Sequence, residues 1–189
     1  LRDAGIPIAP FLISYQHKRV SYERAASELG TRTYVKPANL GSSVGIHRVT
    51  SADEYADAVS AAHEYDRKVI VEREIVGREI EVSVLGNDQP IASVPGEIVP
   101  KDGFYSYDAK YLDENGAQLL MPADLTAEET SSIQETALRA FEALECSGMA
   151  RVDGFLSEGT FYVNEINTIP GFTQISMYPK LFEASGIPQ

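Results

Sequence analysis

Two runs near the C-terminal end, residues 149–157 and 161–167, constrain the fold more than any other feature of this chain. Both read as strands, and Gly159 lies in the tight turn between them, so they pair as an antiparallel hairpin. Side chains two apart on a strand share a face. Arg151 is therefore grouped with Asp153, and Glu165 with Asn167. A turn made by Glu158, Gly159 and Thr160 sets Asp153 opposite Glu165 and Arg151 opposite Asn167. Opposed Cβ atoms stand about 4.5–5.5 Å apart, so two carboxylates and a carboxamide converge on one patch. Facing like charges destabilise a strand pair. Two readings follow: a hard divalent cation held by oxygen ligands, or a solvated polar face on which Arg151 neutralises the acids. The next segment, Thr168-Ile169-Pro170-Gly171-Phe172-Thr173, bends the chain over that patch with a Pro-Gly turn. Its exposed N–H groups are donors of the kind that stabilise an oxyanion.

Upstream, strands and helices alternate irregularly, without the repeating order of a parallel sheet, and the chain reads as α+β. Strands are expected over 32–36, 44–49, 68–72, 79–85 and 90–99. In the fourth, Ile80, Val82 and Val84 alternate with Glu79, Glu81 and Ser83. Ser51 and Glu54 form a capping box for a helix to about Tyr65, with Tyr55, Val59 and Ala62 as its apolar stripe. Thr126 and Glu129 do the same for a longer helix bearing Ile133, Ala137, Phe141 and Leu144, stopped by Gly148. A boundary at Gly77 separates a lobe over 1–76 from a second over 77–189. Leu1 to Gly5 reads as the closing turn of a helix, and 180–185 as a short helix at the other end. Because one turn of helix is not stable alone, the chain is expected to be a piece of a longer protein, truncated at its C-terminal end as well.

Composition removes several function classes. There are 28 acidic residues against 16 basic ones, a formal charge of −12. Nucleic acids and anionic membranes call for clustered Lys and Arg, so neither is expected as a partner. The one cysteine, Cys146, excludes an internal disulfide or a cysteine-rich zinc site, fits a reducing cytoplasmic compartment, and is expected to be inert core. No apolar run approaches the roughly 18–20 residues that span a bilayer. His17, His47 and His63 show no ligand spacing.

Gly41-Ser42-Ser43-Val44-Gly45 follows the strand that bears Lys36. Small residues let backbone N–H groups approach a phosphate, and Lys36 adds a point charge. No Gly-Lys-Ser/Thr follows, so this is not a Walker loop. The Gly-x-Ser-x-Gly pattern with Ser43 as nucleophile needs a strand-turn-helix context, and the sequence offers a strand instead. A plain hairpin loop is the other reading. Glu72 and Glu79 could accept from an adenine amino group and a ribose hydroxyl, or simply be solvated acids at a sheet edge. The aromatic stretch 103–111 reads as a lid or as a loop packed on the core.

Taken in order, Tyr34-Val35-Lys36-Pro37, the glycine loop 41–45, Tyr105-Ser106-Tyr107-Asp108-Ala109-Lys110-Tyr111, Arg151-Val152-Asp153 and the run 164–173 resemble the ATP-grasp enzymes. Within them, the Ala109-Lys110-Tyr111 loop and Asn167 to Thr173 with Ser176-Met177-Tyr178-Pro179 are similar to the D-alanine–D-alanine ligase family. That resemblance implies two α+β lobes enclosing a nucleotide. It implies that Lys36, Ser42 and Ser43 hold ATP phosphates, and that Glu72 and Glu79 hold adenine and ribose. Arg73 and Ile75 would line the base pocket, Arg73 standing where the family often has Lys. Asp153, Glu165 and Asn167 would bind two Mg²⁺, with Mn²⁺ as a substitute. Lys110 would reach the transferred phosphoryl group, with Ser42 and Tyr111 completing the catalytic group around it. Arg151 and the Gly171 N–H would form an oxyanion hole, and Ser176 would hold the carboxylate of the second D-alanine. Tyr111 matches the tyrosine of enzymes that make D-alanyl-D-alanine, where relatives making D-alanyl-D-lactate usually have Phe.

The activity so implied is ATP-dependent joining of two D-alanines through a D-alanyl phosphate, for peptidoglycan precursor and cell-wall synthesis in the cytoplasm. Its partners are small molecules, with a homodimer allowed for the intact enzyme. The family also has an N-terminal domain carrying a glutamate for the first D-alanine and a second phosphate lysine, which this chain lacks. The polypeptide is therefore expected to bind Mg·ATP weakly and to form no dipeptide at a useful rate. Another ATP-grasp carboxylate–amine ligase would share Lys36, Asp153, Glu165 and Asn167. A non-catalytic ATP-binding module would need neither Arg151 nor Ser176.

Overall fold

A computed structural model describes residues 1–100 and 117–188 and divides the chain into two compact units. One holds Ala9–Glu74; the other holds Leu1–Ile8 and the described residues from Ile75 onward. The division thus falls after Glu74, where the reading of the sequence put it at Gly77. The first residues join the second unit because Ile6 sits in its core and the Val163 N–H donates to the Pro7 carbonyl at 2.9 Å.

The Ala9–Glu74 unit comprises β1 (Phe11–Tyr15), α1 (Tyr22–Leu29), β2 (Thr33–Pro37), β3 (His47–Val49), α2 (Ala52–Tyr65) and β4 (Lys68–Arg73). Its four strands lie in the order β1-β4-β2-β3, each neighbouring pair antiparallel. Alternation on β2 and β4 sends Val35, Val69 and Val71 into the core, where with Val49 all are fully buried. Each such valine contributes about 1.5–3 kcal/mol. Tyr55, Val59 and Ala62 of α2 are buried as their spacing predicts, and Ser51 caps that helix by accepting from the Glu54 N–H. The opposite face of the sheet carries Tyr34, Lys36, Ile70 and Glu72. Two elements, β1 and α1, had no counterpart in the sequence reading. The strand expected from Val44 forms only over His47–Val49, because residues 42–45 turn instead.

The second unit opens with a 3-10 turn, Arg2–Ala4, closed by Gly5 at φ 66°. It continues with β5 (Arg78–Gly86), β6 (Ile91–Ala92), β7 (Gly96–Pro100), β8 (Ala117–Leu120), α3 (Ala127–Ala143), β9 (Gly148–Ser157), β10 (Thr160–Asn167) and α4 (Met177–Ala184). The strands run β10-β9-β5-β7-β8, with β6 paired to β5, all antiparallel. One face, with Ile80, Val82, Val84, Ala150 and Val152, is buried in a common cluster with Ile133, Ala137, Ala140 and Phe141 of α3. On the other face, Ser83 Oγ donates to the Tyr178 carbonyl at 3.1 Å, and the Tyr178 hydroxyl donates to the Val84 carbonyl at 3.1 Å. Those bonds fasten α4 to β5. The capping box of Thr126 and Glu129 is present at the start of α3.

Three expected boundaries change. Helix α3 ends at Ala143, leaving Leu144 49% exposed; Glu145 takes the left-handed turn, and Gly148 opens β9. The expected strand 90–99 is interrupted at Ser93, whose hydroxyl accepts from the Ser83 N–H at 3.0 Å. Helix α4 starts at Met177, three residues before 180. Cys146 is half-buried against the core, and burial pushes its thiol pKa up. Among the described residues, no helix is long and apolar enough to cross a membrane.

Candidate active site

The β9–β10 patch owes its geometry to two local features acting together. The hairpin turn has only two residues, Glu158 at φ 50° and Gly159 at φ 76°, and Thr160 already pairs with Ser157. Two consecutive positive φ values give the turn the twist that flanking strands prefer. The three-residue turn expected from the sequence is therefore corrected. On the register set by this turn, Val163 faces Gly154. The ladder then slips by one residue at Asn164, so that Glu165 faces Asp153 and Asn167 faces Arg151. The two expected pairings are thus present, produced by a bulge that the sequence reading lacked.

The bulge decides which face each side chain takes. Phe161 and Val163 are 2% and 3% exposed in the core beneath α3. Uninterrupted alternation would send Glu165 into that core beside them. The extra residue turns Glu165 to the opposite face and leaves Ile166 packed against the core instead.

On that opposite face Arg151 grips Asp153 bidentately: Nε to Oδ1 and Nη2 to Oδ2, both at 2.7 Å. Asn167 Nδ2 donates to Asp153 Oδ2 at 2.9 Å, directing its carbonyl oxygen away from that carboxylate. The register places a third acid here. Glu81 of β5 faces Asp153 across the ladder, and its Oε2 lies 3.1 Å from Arg151 Nε, with the side chain 6% exposed. Burial works against the Arg151 charge, but the bond to Asp153 and the charges of Asp153, Glu81 and Glu165 outweigh it, so its pKa is raised. Three carboxylates around one guanidinium leave a surplus of negative charge, and that surplus favours a cation.

The loop after β10 leads to the N-terminus of α4. Ser176 does not cap the helix with its side chain; its Oγ accepts from the Thr173 N–H at 3.0 Å and lies 2.9 Å from Thr173 Oγ1. A Cβ at Gly171 would come within 2.9 Å of that same Oγ, so a side chain at this position would displace the Ser176 hydroxyl.

The residues expected to hold phosphate lie in the Ala9–Glu74 unit. Lys36 Nζ is 2.7 Å from Glu72 Oε1, on the sheet face opposite the core. After β2 the chain enters two overlapping turns, in which the Val44 N–H donates to the Gly41 carbonyl and the Ile46 N–H to the Ser43 carbonyl. Ser42, Ser43 and Gly45 have φ of 55°, 59° and 71°. Left-handed backbone costs a non-glycine residue about 1–2 kcal/mol, so this loop is strained at both serines. Turns of this type make anion-binding concavities of backbone N–H groups.

Arg73 Nε donates to the Leu29 carbonyl at 2.9 Å, so part of its guanidinium holds the end of α1. Ile75 and Glu79 are half-buried and belong to the second unit. Lys110 and Tyr111, with the aromatic stretch 103–111, lie outside the described residues. His63 is buried, with Nδ1 3.0 Å from the Asp66 carbonyl. Sequence reasoning missed Glu81 as a site residue. The only available signal was its place two residues after Glu79 on an alternating strand, and nothing local says that this strand borders β9. Among the described residues, no three His, Cys, Asp or Glu side chains form a metal-holding group; the β9–β10 set has two carboxylates and a carboxamide.

Comparison with known proteins identifies the family and the fold. The chain is 54% identical to D-alanine–D-alanine ligase A of Escherichia coli K12, over 99% of its length and 52% of that protein. It is 52% identical to the D-alanine–D-alanine ligase of Shouchella clausii, with the same two coverages. The chain therefore spans about half the length of the curated relatives it matches. The solved D-alanine–D-alanine ligase of Coxiella burnetii superposes with a TM-score of 0.85 at 40% identity, covering 100% of this chain and 50% of that one. The Bacillus anthracis ligase, solved in complex with ATP, gives 0.79 at 27% identity over 99% of this chain and 56% of its own. The fold is α+β and of the ATP-grasp type. Residues 1–189 match the family model described as D-ala D-ala ligase C-terminus, and the chain belongs to that family.

Proposed function

We propose that this chain is the ATP-grasp part of a cytoplasmic ligase that joins two D-alanines at the expense of ATP, for peptidoglycan precursor synthesis. The observation that carries this reading is the part-buried Arg151–Asp153–Asn167 cluster, completed by Glu165, on one sheet face. In the reaction the carboxylate of one D-alanine takes the γ-phosphoryl group, giving D-alanyl phosphate and ADP. The amine of the second attacks the acyl carbon, a C–N bond forms, phosphate leaves and the amine loses a proton.

The first step brings two anions together. Lys36, held in place by Glu72, supplies positive charge for the phosphates. Asp153 and Glu165 with the Asn167 carbonyl are hard oxygen donors of the kind Mg²⁺ takes. Magnesium bound there would neutralise charge between the phosphoryl oxygens and the incoming carboxylate. Arg151 and Asn167 use three of the roughly four lone-pair sites of the Asp153 carboxylate, so a cation held there would share Asp153 with the guanidinium. Glu81, 3.1 Å from Arg151 Nε, would keep Arg151 charge-compensated and in position while Asp153 is so shared. In the second step Arg151 faces the negative charge that develops on the tetrahedral oxygen, and Ser176 takes the carboxylate of the second amino acid.

The test is phosphate release by the intact protein that carries this chain. Release is expected with D-alanine and ATP, with D-alanyl-D-alanine as product, and Arg151→Ala should lower kcat by about 10²–10³. Phosphate release indifferent to D-alanine, or equally fast with unrelated carboxylic acids and amines, would overturn the assignment.

A further inference from the structure

The glycine loop must hold its strained backbone before any ligand arrives, and its own turns are weak: the Ile46 N–H reaches the Ser43 carbonyl only at 3.4 Å. Residues outside the loop hold both of its ends. At its entrance, Asp66 Oδ2 accepts from the Asn39 N–H at 2.9 Å and from Asn39 Nδ2 at 2.7 Å. The other oxygen, Oδ1, accepts from the Lys68 N–H at 3.0 Å, which ties the same carboxylate to the first residue of β4. The Ala38 N–H also donates to the Lys68 carbonyl at 3.0 Å. At the loop's exit, Gly45 lies against Tyr65 and Pro37. A Cβ there would be 3.0 Å from Tyr65 Cδ2 and 3.0 Å from Pro37 Cγ. Tyr65 ends α2 and Asp66 is its C-cap, so two adjacent residues at one corner hold both ends of the loop. The corner has its own support from the Asp66 N–H, which donates to the Ala62 carbonyl, and from His63 Nδ1 against the Asp66 carbonyl.

We propose that Tyr65 and Asp66 are positioning residues for phosphate binding, a two-point clamp that holds residues 39–45 in a conformation from which the loop's N–H groups, other than those of Asn39 and Val44, can approach the ATP phosphates. The inference rests on the reading of this loop as a phosphate site and adds to it the residues that preorganise it. Neither Tyr65 nor Asp66 is placed on ligand. Their effect passes through Gly45 and Asn39, and it should therefore appear in the phosphate contribution to binding and not in the adenosine contribution.

The experiment compares wild type, Asp66→Ala, Tyr65→Ala and Tyr65→Phe in this chain. It measures amide exchange of residues 39–46, the denaturation midpoint, and the affinities for Mg·ATP and for adenosine. Losing the charge-assisted bonds of Asp66 should speed exchange in 39–46 and weaken Mg·ATP binding by roughly 10-fold, with adenosine affinity unchanged. Tyr65→Ala should move the same readouts in the same direction, and Tyr65→Phe, which keeps the ring against Gly45, should restore them. Unchanged exchange and unchanged Mg·ATP affinity in Asp66→Ala would overturn the clamp. So would equal losses for Mg·ATP and adenosine with faster exchange throughout the unit, since that is general destabilisation. A wild-type chain that binds neither compound removes the phosphate reading itself, an outcome distinct from a failed clamp, in which wild type and variant bind alike.

Discussion

At the scale of single residues, Glu81 has the largest consequence for the proposed chemistry. A carboxylate 6% exposed is expensive to keep ionised unless a cation compensates it, and Arg151 is that cation. Since Arg151 also grips Asp153, the guanidinium is shared between a fixed acid and one that a metal would claim. In Glu81→Gln, Arg151 would depend on Asp153 and hold it more tightly. The apparent affinity for Mn²⁺, read by electron paramagnetic resonance titration, is expected to fall by roughly 10-fold, the equivalent of about 1.4 kcal/mol in a partly desolvated site. An unchanged Mn²⁺ affinity would show that Asp153 needs no second partner for its arginine. The residue types of this site were legible in the sequence because alternation on a strand is a local property. Arg151, Asp153, Glu165 and Asn167 could be grouped without knowing any other strand. Glu81 could not, because its position depends on β5 lying beside β9, a pairing between segments some seventy residues apart.

Elements follow the same division between local and distant causes. Helix starts were readable because caps are local: Ser51 and Thr126 each accept from the N–H three residues on, as their sequence context predicts. Ends were less readable. Leu144 continues the apolar stripe of α3 yet is exposed, because the chain has already turned at Glu145. The hairpin shows a subtler case. A turn one residue too long and an unseen bulge shift register by the same amount in the same sense, so the expected pairs of acids are found for a different physical reason. Strand β1 escaped because Phe11, Ile13 and Tyr15 are apolar residues on its exposed face, the reverse of the usual pattern for a half-buried strand. The α3 cap carries its own prediction. Thr126→Ala should destabilise the second unit by about 1 kcal/mol in urea denaturation. The Glu129 carboxyl is held below the ordinary value of 4.5, first by the Thr126 N–H and then by its hydroxyl. A lowered folded pKa means that its contribution is present above 4.5 and is lost as pH falls through the folded value. The difference between wild type and Thr126→Ala should therefore shrink as the pH drops below 4.5. A gap that stays constant down to pH 2 would show that the Thr126 hydroxyl adds nothing to the hold on this carboxylate, since the bond from the Thr126 N–H survives the substitution.

For the whole molecule, net charge and site charge point in opposite directions. The chain carries −12, yet the proposed function assigns cationic roles to Lys36 and Arg151. An anionic nucleotide approaching from bulk solvent first meets the repulsion of the whole surface and only later the attraction of those side chains. The two contributions respond differently to salt. Charges separated by more than about 8 Å at 0.15 M ionic strength are largely screened, whereas half-buried groups in contact are screened much less. Lys36 and Glu72, with side chains 18% and 16% exposed, belong to the second class. Raising the ionic strength from low to physiological values should therefore increase the association rate of Mg·ATP measured by stopped flow, and leave its dissociation rate nearly unchanged. A basic protein that binds nucleic acid shows the reverse, an association that slows as salt is added. If Mg·ATP associates more slowly with added salt, the local cations dominate the field out to the encounter distance. Net charge would then be the wrong quantity from which to argue how this molecule meets a nucleotide.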